Sequence, residues 1–257
     1  MSKTRKIFLF IALPLLIIFG LTAYFTFGGG GKTNNASSGE QVSTKNGGCP
    51  ALITPVDVSL VTSVLYPGQT RGGDYKPHGG FRLNNTENNL VDVKAPLAAK
   101  VTRGSRYIEM NELQYMFDFK TDCGLEYRLD HFKTLSAKLK EVADKLPPAK
   151  VDDSQTTNIR GVTVTSGEII ATAVGFEQSP PGAPIGPNVS FDFGLYDKRQ
   201  KNASSKDPAW VSSHKEDGDQ AIYAVCWLDW LSATDTAILK VLPGGDVTSG
   251  KTSDYCK

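Results

Sequence analysis

An excess of charge of either sign is missing from this chain of 257 residues. Its 28 Lys and Arg stand against 27 Asp and Glu, for a net charge of +1. That leaves no electrostatic footprint for nucleic acid. None of the four cysteines stands in a Cys-x-x-Cys pair, which argues against a zinc knuckle. There is no internal repeat, and helical periodicity is scarce. The N-terminus lacks the short apolar core and small-x-small exit of a cleaved signal peptide, and no cysteine follows it closely enough for a lipid-modified terminus.

What the N-terminus does have is Lys3, Arg5 and Lys6, followed by 21 uncharged residues from Ile7 to Phe27. That run can cross a hydrocarbon core of about 30 Å as one helix. The flanking cations place the N-terminus in the cytoplasm and the remainder outside. The expectation is an uncleaved single-pass anchor over residues 1–27. Residues 28–48 are Gly, Ser, Asn, Lys and Thr with few apolar side chains, and read as a flexible linker. Residues 49–257 then form one extracytoplasmic domain. Cys49, Cys123, Cys226 and Cys256 all lie past the anchor, where two disulfides suit an oxidising compartment. Three pairings are possible. Cys226–Cys256 with Cys49–Cys123 is preferred, because a near-terminal cysteine stays ordered when tied to a nearby partner.

The domain reads as mostly β. Short extended segments at 56–65, 91–101, 115–120, 125–132, 161–176 and 189–196 are separated by Gly, Pro and Asn turns. Leu135, Leu139, Val142 and Leu146 recur at helical spacing and stop at Pro147-Pro148. Thr234-Asp235 can cap a second short helix ended by Pro243. Residues 150–159 and 198–219 are polar and read as loops. The aromatic run from Ala221 to Trp230 reads as a buried strand, with a sugar-stacking platform as the rival. His214 sits in a polar run and has no assigned role.

One stretch is more specific than composition. Tyr66-Pro67-Gly68-Gln69-Thr70-Arg71-Gly72-Gly73-Asp74-Tyr75-Lys76-Pro77-His78-Gly79-Gly80-Phe81-Arg82 resembles the opening motif of the lysostaphin/LytM-type peptidoglycan metallopeptidases. Val93-Lys94-Ala95-Pro96-Leu97-Ala98-Ala99-Lys100-Val101, Arg128-Leu129-Asp130-His131-Phe132, Val164 to Ile170 and Ser190-Phe191-Asp192-Phe193 are similar to that family's later motifs, in the same order. The resemblance covers about Tyr66 to Tyr196. It implies a duplicated hybrid motif, a β-sandwich or barrel-like domain with one or two short helices and a groove over one sheet. It also implies a groove lined by His78, Arg82, His131, Ser190 and Asp192.

The departures from the family carry as much as the matches. His78 stands in the place of the first zinc ligand, but Arg82 stands where the family has a ligand Asp. Asp192 stands where it has a ligand His, Ser190 where it has the first His of its closing pair, and Leu129 where it has a Tyr. His131 matches the other catalytic His. A catalytic zinc needs three protein ligands and an open position. At about 4 Å and an effective dielectric of about 20, a unit charge pair is worth about 4 kcal/mol, so a divalent ion beside Arg82 meets roughly twice that in repulsion. The expected reading is a catalytically inactive relative with His131 and Ser190 as vestiges of catalysis. It has no cofactor, and its partner is peptidoglycan or an envelope protein. The alternatives are an active wall endopeptidase with an altered zinc site, His78 and Asp192 being its first ligands and His131 a possible third, or a metal-free hydrolase or a purely structural domain. The exchange of signs at positions 82 and 192 further predicts an Arg82–Asp192 ion pair.

Overall fold

Alternation of apolar and polar side chains builds the sheet, and the computed structural model describes it over residues 44–45, 48–178 and 187–257. The predicted anchor and most of the linker lie outside these residues. Among the described residues no helix is long and apolar enough to cross a membrane. Ten strands carry the argument: β1 Ser63–Leu65, β2 Gln69–Arg71, β3 Asp74–Lys76, β4 Gly79–Arg82, β5 Val93–Lys94, β6 Ala99–Glu109, β7 Glu112–Lys120, β8 Leu125–Leu135, β9 Ile169–Val174 and β10 Ser190–Asp197. The order β6-β7-β8-β10-β4-β1 forms one large mixed sheet, edged by the two-residue strands Lys150–Val151, Thr157–Asn158 and Thr163–Val164 on β6. The Lys150–Val151 edge is parallel and the main ladder antiparallel. The chain is thus mostly β with few short helices.

β6 and β7 are joined by Met110 and Asn111, both left-handed with φ of 49° and 64°. That is the backbone of a two-residue type I′ hairpin, whose twist matches the flanking strands. β8 is the pivot of the sheet. Its first half, Leu125 to Leu129, pairs with β10, and its second half, Phe132 to Leu135, pairs with β9. The sheet forks between the two halves. Under the fork, Phe81, Phe191, Phe193 and Trp227 form an aromatic cluster with ring centroids 4.8–6.1 Å apart, all fully buried. Each such ring contributes about 1.5–3 kcal/mol by leaving water.

Both predicted disulfides are present with the preferred pairing, Cys49–Cys123 and Cys226–Cys256. Both predicted helices are present as well: α1 spans Ala137–Ala143 and α4 spans Ala233–Val241. α1 starts later than its apolar spacing implied, because Leu135 still pairs with Ala171 and Ser136 supplies the cap. Three readings are corrected. The polar run 198–219 is not one loop but contains α2, Pro208–Ser213, whose start signal is Asp207 accepting from the Ala209 amide with Pro208 at the first position. The aromatic run to Trp230 is not a strand: α3, Gly218–Tyr223, leads into a 3-10 turn at Trp227–Trp230. Its Trp rings are nonetheless in the core, as packing required. The end of the predicted linker, Thr44–Lys45, pairs with Cys49–Pro50, next to the disulfide that pins that strand.

Candidate functional site

The fork in the sheet is made by an irregularity in β8. Tyr127, Leu129 and Phe132 are all fully buried, so the core phase jumps by one residue between Leu129 and Phe132. The extra residue is accommodated by His131 in the left-handed region, φ 61°, the signature of a bulge that re-aims side chains. Strict alternation would have put His131 on the face of Tyr127 and Leu129. The bulge instead releases Asp130 and His131 together onto the opposite face.

His78 arrives from the other side. It follows the hairpin β2–β3 and precedes Gly79-Gly80, and these glycines allow β4 to lie against its neighbours. A Cβ on Gly79 would stand 2.2 Å from the Leu65 carbonyl oxygen and 2.6 Å from Trp227 Nε1, and one on Gly80 would stand 2.4 Å from the Phe191 carbonyl. Gly80 lies opposite Asp192 in the ladder. With no side chain there, His78 Nε2 reaches Asp192 Oδ2 at 2.8 Å, and His131 Nε2 approaches the same oxygen at 3.8 Å. Asp192 is therefore a carboxylate held between two imidazoles. Arg71 donates to the Tyr66 and His78 carbonyls at 2.8 and 3.1 Å and fixes the turn that carries His78.

The three residues line a groove of about 320 Å³, together with Tyr107, Glu109 and Asp130. Asp130 organises the His131 side of it, accepting from the Tyr107 hydroxyl at 2.5 Å and from the His131 amide at 2.7 Å. The Tyr107 hydroxyl also lies 3.3 Å from His131 Nδ1, and Glu109 lies 3.8 Å from the same nitrogen. Burial raises the pKa of Asp192, but His78, His131 and Arg71 outweigh it and hold the carboxyl well below its ordinary range. Burial pushes the His131 imidazole down, and Asp130, Asp192 and Glu109 together push it further up, so the ring binds its proton more tightly than a free histidine. Glu109 is raised, first by burial and then by Asp130 and Asp192.

The structure thus brings His78, His131 and Asp192 together and leaves two predicted groove residues out. Arg82 lies opposite Ser190 in the ladder, two pairs along from Gly80 and Asp192, and its side chain passes Gly245. Among the described residues Arg82 makes no ion pair with Asp192, whose short partner is His78. The predicted Arg82–Asp192 pair is therefore corrected: Arg71, not Arg82, is the guanidinium that stabilises Asp192. Ser190 is buried and turned to Asn188, 3.3 Å away. Tyr107, Glu109, Asp130 and Arg71 were not singled out from sequence. The cue for Asp130 was its place beside His131, but period-two counting sets adjacent residues on opposite faces.

The donor set as it stands is spaced for a hydrogen bond and not for a tetrahedral zinc ion. Two ligand atoms of a tetrahedral zinc stand about 3.4 Å apart at bond lengths of about 2.0–2.1 Å, whereas 2.8 Å between His78 and Asp192 is a hydrogen-bond separation. The other nitrogen of His78, Nδ1, is buried without a partner, although a metal-bound histidine ordinarily anchors that nitrogen on a carboxylate or carbonyl. Among the described residues no group of three or more His, Cys, Asp or Glu has the arrangement of a metal site. His214, unassigned from sequence, stacks on Trp210 at 4.4 Å and against Tyr75 at 3.9 Å, on the outside of the β2–β3 hairpin. Set against known proteins, the chain matches no family model, no curated protein and no solved structure.

Proposed function

We propose that the chain is a membrane-anchored module of the cell envelope, whose peptidase-like β domain holds a wall peptide in its groove without cleaving it. The observation that carries this reading is the engagement of Asp192. Its Oδ2 is held by His78 at 2.8 Å with His131 3.8 Å away, and the surrounding cations keep the carboxyl ionised, so the oxygen that faces the groove is engaged by the chain's own imidazoles. Support for the fold half of the reading is the order of the five segments that resemble lysostaphin/LytM-type motifs, of which the first, third and fifth supply His78, His131 and Asp192 to the groove. The duplicated hybrid motif belongs to this proposal. Support for the location is the pair of disulfides, which suits an oxidising compartment outside the cytoplasm.

Co-sedimentation of the full chain with purified, insoluble wall sacculi tests the binding half. The expected result is saturable retention that His131→Asn weakens, with no new free amino groups released from the wall. Asn is chosen because it tolerates the left-handed backbone of position 131. Retention equal to that of an unrelated protein sinks the reading. A second reading rests on the convergence of two imidazoles on one carboxylate. Small rotations of His78 and Asp192 would turn that trio into a ligand set for a hydrolytic metal. Stoichiometric zinc in the purified chain, with peptide-bond hydrolysis that a chelator abolishes, would establish it in place of the first.

A further inference from the structure

The groove does not end at His131. It shares Met116 and Arg128 with a second recess of about 350 Å³, and that recess shares Arg103, Arg128 and Gln220 with a third of about 350 Å³. The three form one trough along the outer face of the sheet. The ladder explains why it is straight. Met116 and the Asp130–His131 bulge mark its first rung. Arg103, Asp118, Arg128 and Gly194 lie side by side in the second, and Lys120, Glu126 and Tyr196 in the third. Successive rungs are two residues apart, so the trough runs about 14 Å from Asp130 to Glu126 at about 3.4 Å per residue. An extended peptide laid along it repeats with the same two-residue step.

The charges along the trough are not evenly used. Arg128, in the middle, is spent: its guanidinium grips Asp118 through two bonds of 2.6 and 3.0 Å, and Gln220 accepts from it at 3.0 and 3.2 Å in the amide orientation that satisfies both groups. Arg103 is not. Its side chain is half exposed, one terminal nitrogen donates to the Thr156 carbonyl, and its nearest acid is Asp118 at 4.0 Å, already committed to Arg128. Lys120 is exposed and, among the described residues, has no ion pair; Glu126 is its ladder neighbour. Lys198 on the same rim is paired with Asp219 at 3.1 Å. The far end therefore has two cations with donors to spare, with Glu126 beside Lys120, while the His131 end presents the half-buried Glu109 and the exposed Asp152, with Lys76 on the same lining.

We propose that this trough is a directional site for an extended peptide, with a terminal carboxylate on Arg103 and Lys120 and a cationic side chain toward Glu109 and Asp152. A guanidinium fork with free donors is the group that matches a carboxylate. The inference rests on the wall-peptide reading above and adds the ligand's direction and end group. Isothermal titration of the full chain in detergent tests it with one probe in two forms. The probe is a lysine-containing stem pentapeptide ending in D-alanyl-D-alanine, as the free acid and as the C-terminal amide. The expected result is that the amide binds about tenfold more weakly than the acid, the scale of one charge-assisted hydrogen bond. Arg103→Ala and Lys120→Ala, two surface changes, each remove most of that preference and leave amide binding unchanged, whereas His131→Asn weakens both forms. Equal binding of acid and amide, or a loss on Arg103→Ala that is the same for both, overturns the proposed direction while the groove reading stands. No binding of either form to the unaltered chain overturns both.

Discussion

Replacing Asp192 by Asn removes one charge from the centre of the groove and keeps the side chain's shape, so it isolates the electrostatic role of the carboxylate. Besides the His78 hydrogen bond, the consequence that can be followed by pH falls on His131. Its Nε2 lies 3.8 Å from Asp192 Oδ2, and the two side chains are 15% and 23% exposed. A unit pair at that distance and an effective dielectric of about 20 is worth about 4 kcal/mol. Partial exposure and solvent screening reduce the net loss to about 1–2 kcal/mol. For a domain of this size that lowers Tm by roughly 2–8 °C.

The pH dependence of that loss carries the reasoning. His131 has a folded pKa raised above its ordinary 6.5, so its contribution to stability is fully present below 6.5 and is lost as pH rises through the folded value. Asp192 is depressed, so its contribution is present above its ordinary 3.8 and is lost as pH falls toward the folded value. Both are in force between roughly pH 4 and 6.5. Urea unfolding of the unaltered and Asp192→Asn chains from pH 5 to 9 should therefore show a difference largest near pH 5–6, shrinking toward pH 9 to the part owed to Arg71 and the His78 hydrogen bond. NMR titration should place the His131 imidazole pKa lower in the variant. A difference that is flat across the range, or that grows with pH, refutes the assignment of His131 as the cation Asp192 stabilises.

Gly79→Ala should cost more than about 2 kcal/mol in urea unfolding, because the new Cβ meets the Leu65 carbonyl and the Trp227 indole and neither can retreat; a loss below about 0.5 kcal/mol would show that β4 is free to shift. Met110→Asn should stabilise by roughly 0.5–1 kcal/mol, since position 110 is left-handed and Asn adopts that conformation more easily than Met; a lower urea midpoint would refute it. Replacing Cys226 and Cys256 by Ser opens a loop with a sequence separation of 30 and should cost about 3–4 kcal/mol in the chain-entropy account. Hydrogen exchange should then rise over residues 69–76, where Gln69 and Tyr75 are held by the C-terminal tail; unchanged exchange there would separate the tail from the hairpin.

Much of this fold was legible because its signals are local. The strands over 115–120, 125–132 and 189–196 follow from alternation, the two disulfides from cysteine placement, and α4 from its apolar spacing and its proline stop, although Ser232, not Thr234-Asp235, supplies its cap. The site was legible in part. His78 and Asp192 were found by motif and parity, and Gly79-Gly80 announced the close approach that joins them. What escaped was whatever depended on a change of phase. Counting by two places His131 on the core face with Leu129, and only the bulge puts it beside Asp130 and within reach of Tyr107. No single residue type demands a bulge there, since its stabilising contacts come from β6 and from Gly175, whose amide donates to the His131 carbonyl at 2.8 Å. The short helices of 204–223 escaped for a different reason. They are short and largely polar, and only α2 carries a side-chain cap, Asp207.

The exchange of signs at positions 82 and 192 invited the inference that the two side chains pair, and the groove shows why that logic reaches the right charge balance through the wrong residue. A carboxylate held low in its range needs cations close by, and the sheet offers only Gly80 directly opposite Asp192. The cations have to come from elements that arrive at the fork from outside the sheet or from its bulge. His131 comes from the bulge, and His78 and Arg71 come from the β2–β3 hairpin and the turn that follows it. That hairpin is in turn held from behind. Asp254 accepts from the Tyr75 hydroxyl at 2.8 Å and from the Trp210 indole at 2.7 Å, Ser249 donates to the Thr70 carbonyl, and the Cys226–Cys256 disulfide closes the tail onto the core. The C-terminal segment lies outside the stretch that carries the family resemblance, yet it fixes the hairpin that neutralises Asp192. The electrostatics of the groove are therefore set partly by the extension, and Arg82, released from the groove, is left to pack along Gly245 at the edge of that same extension.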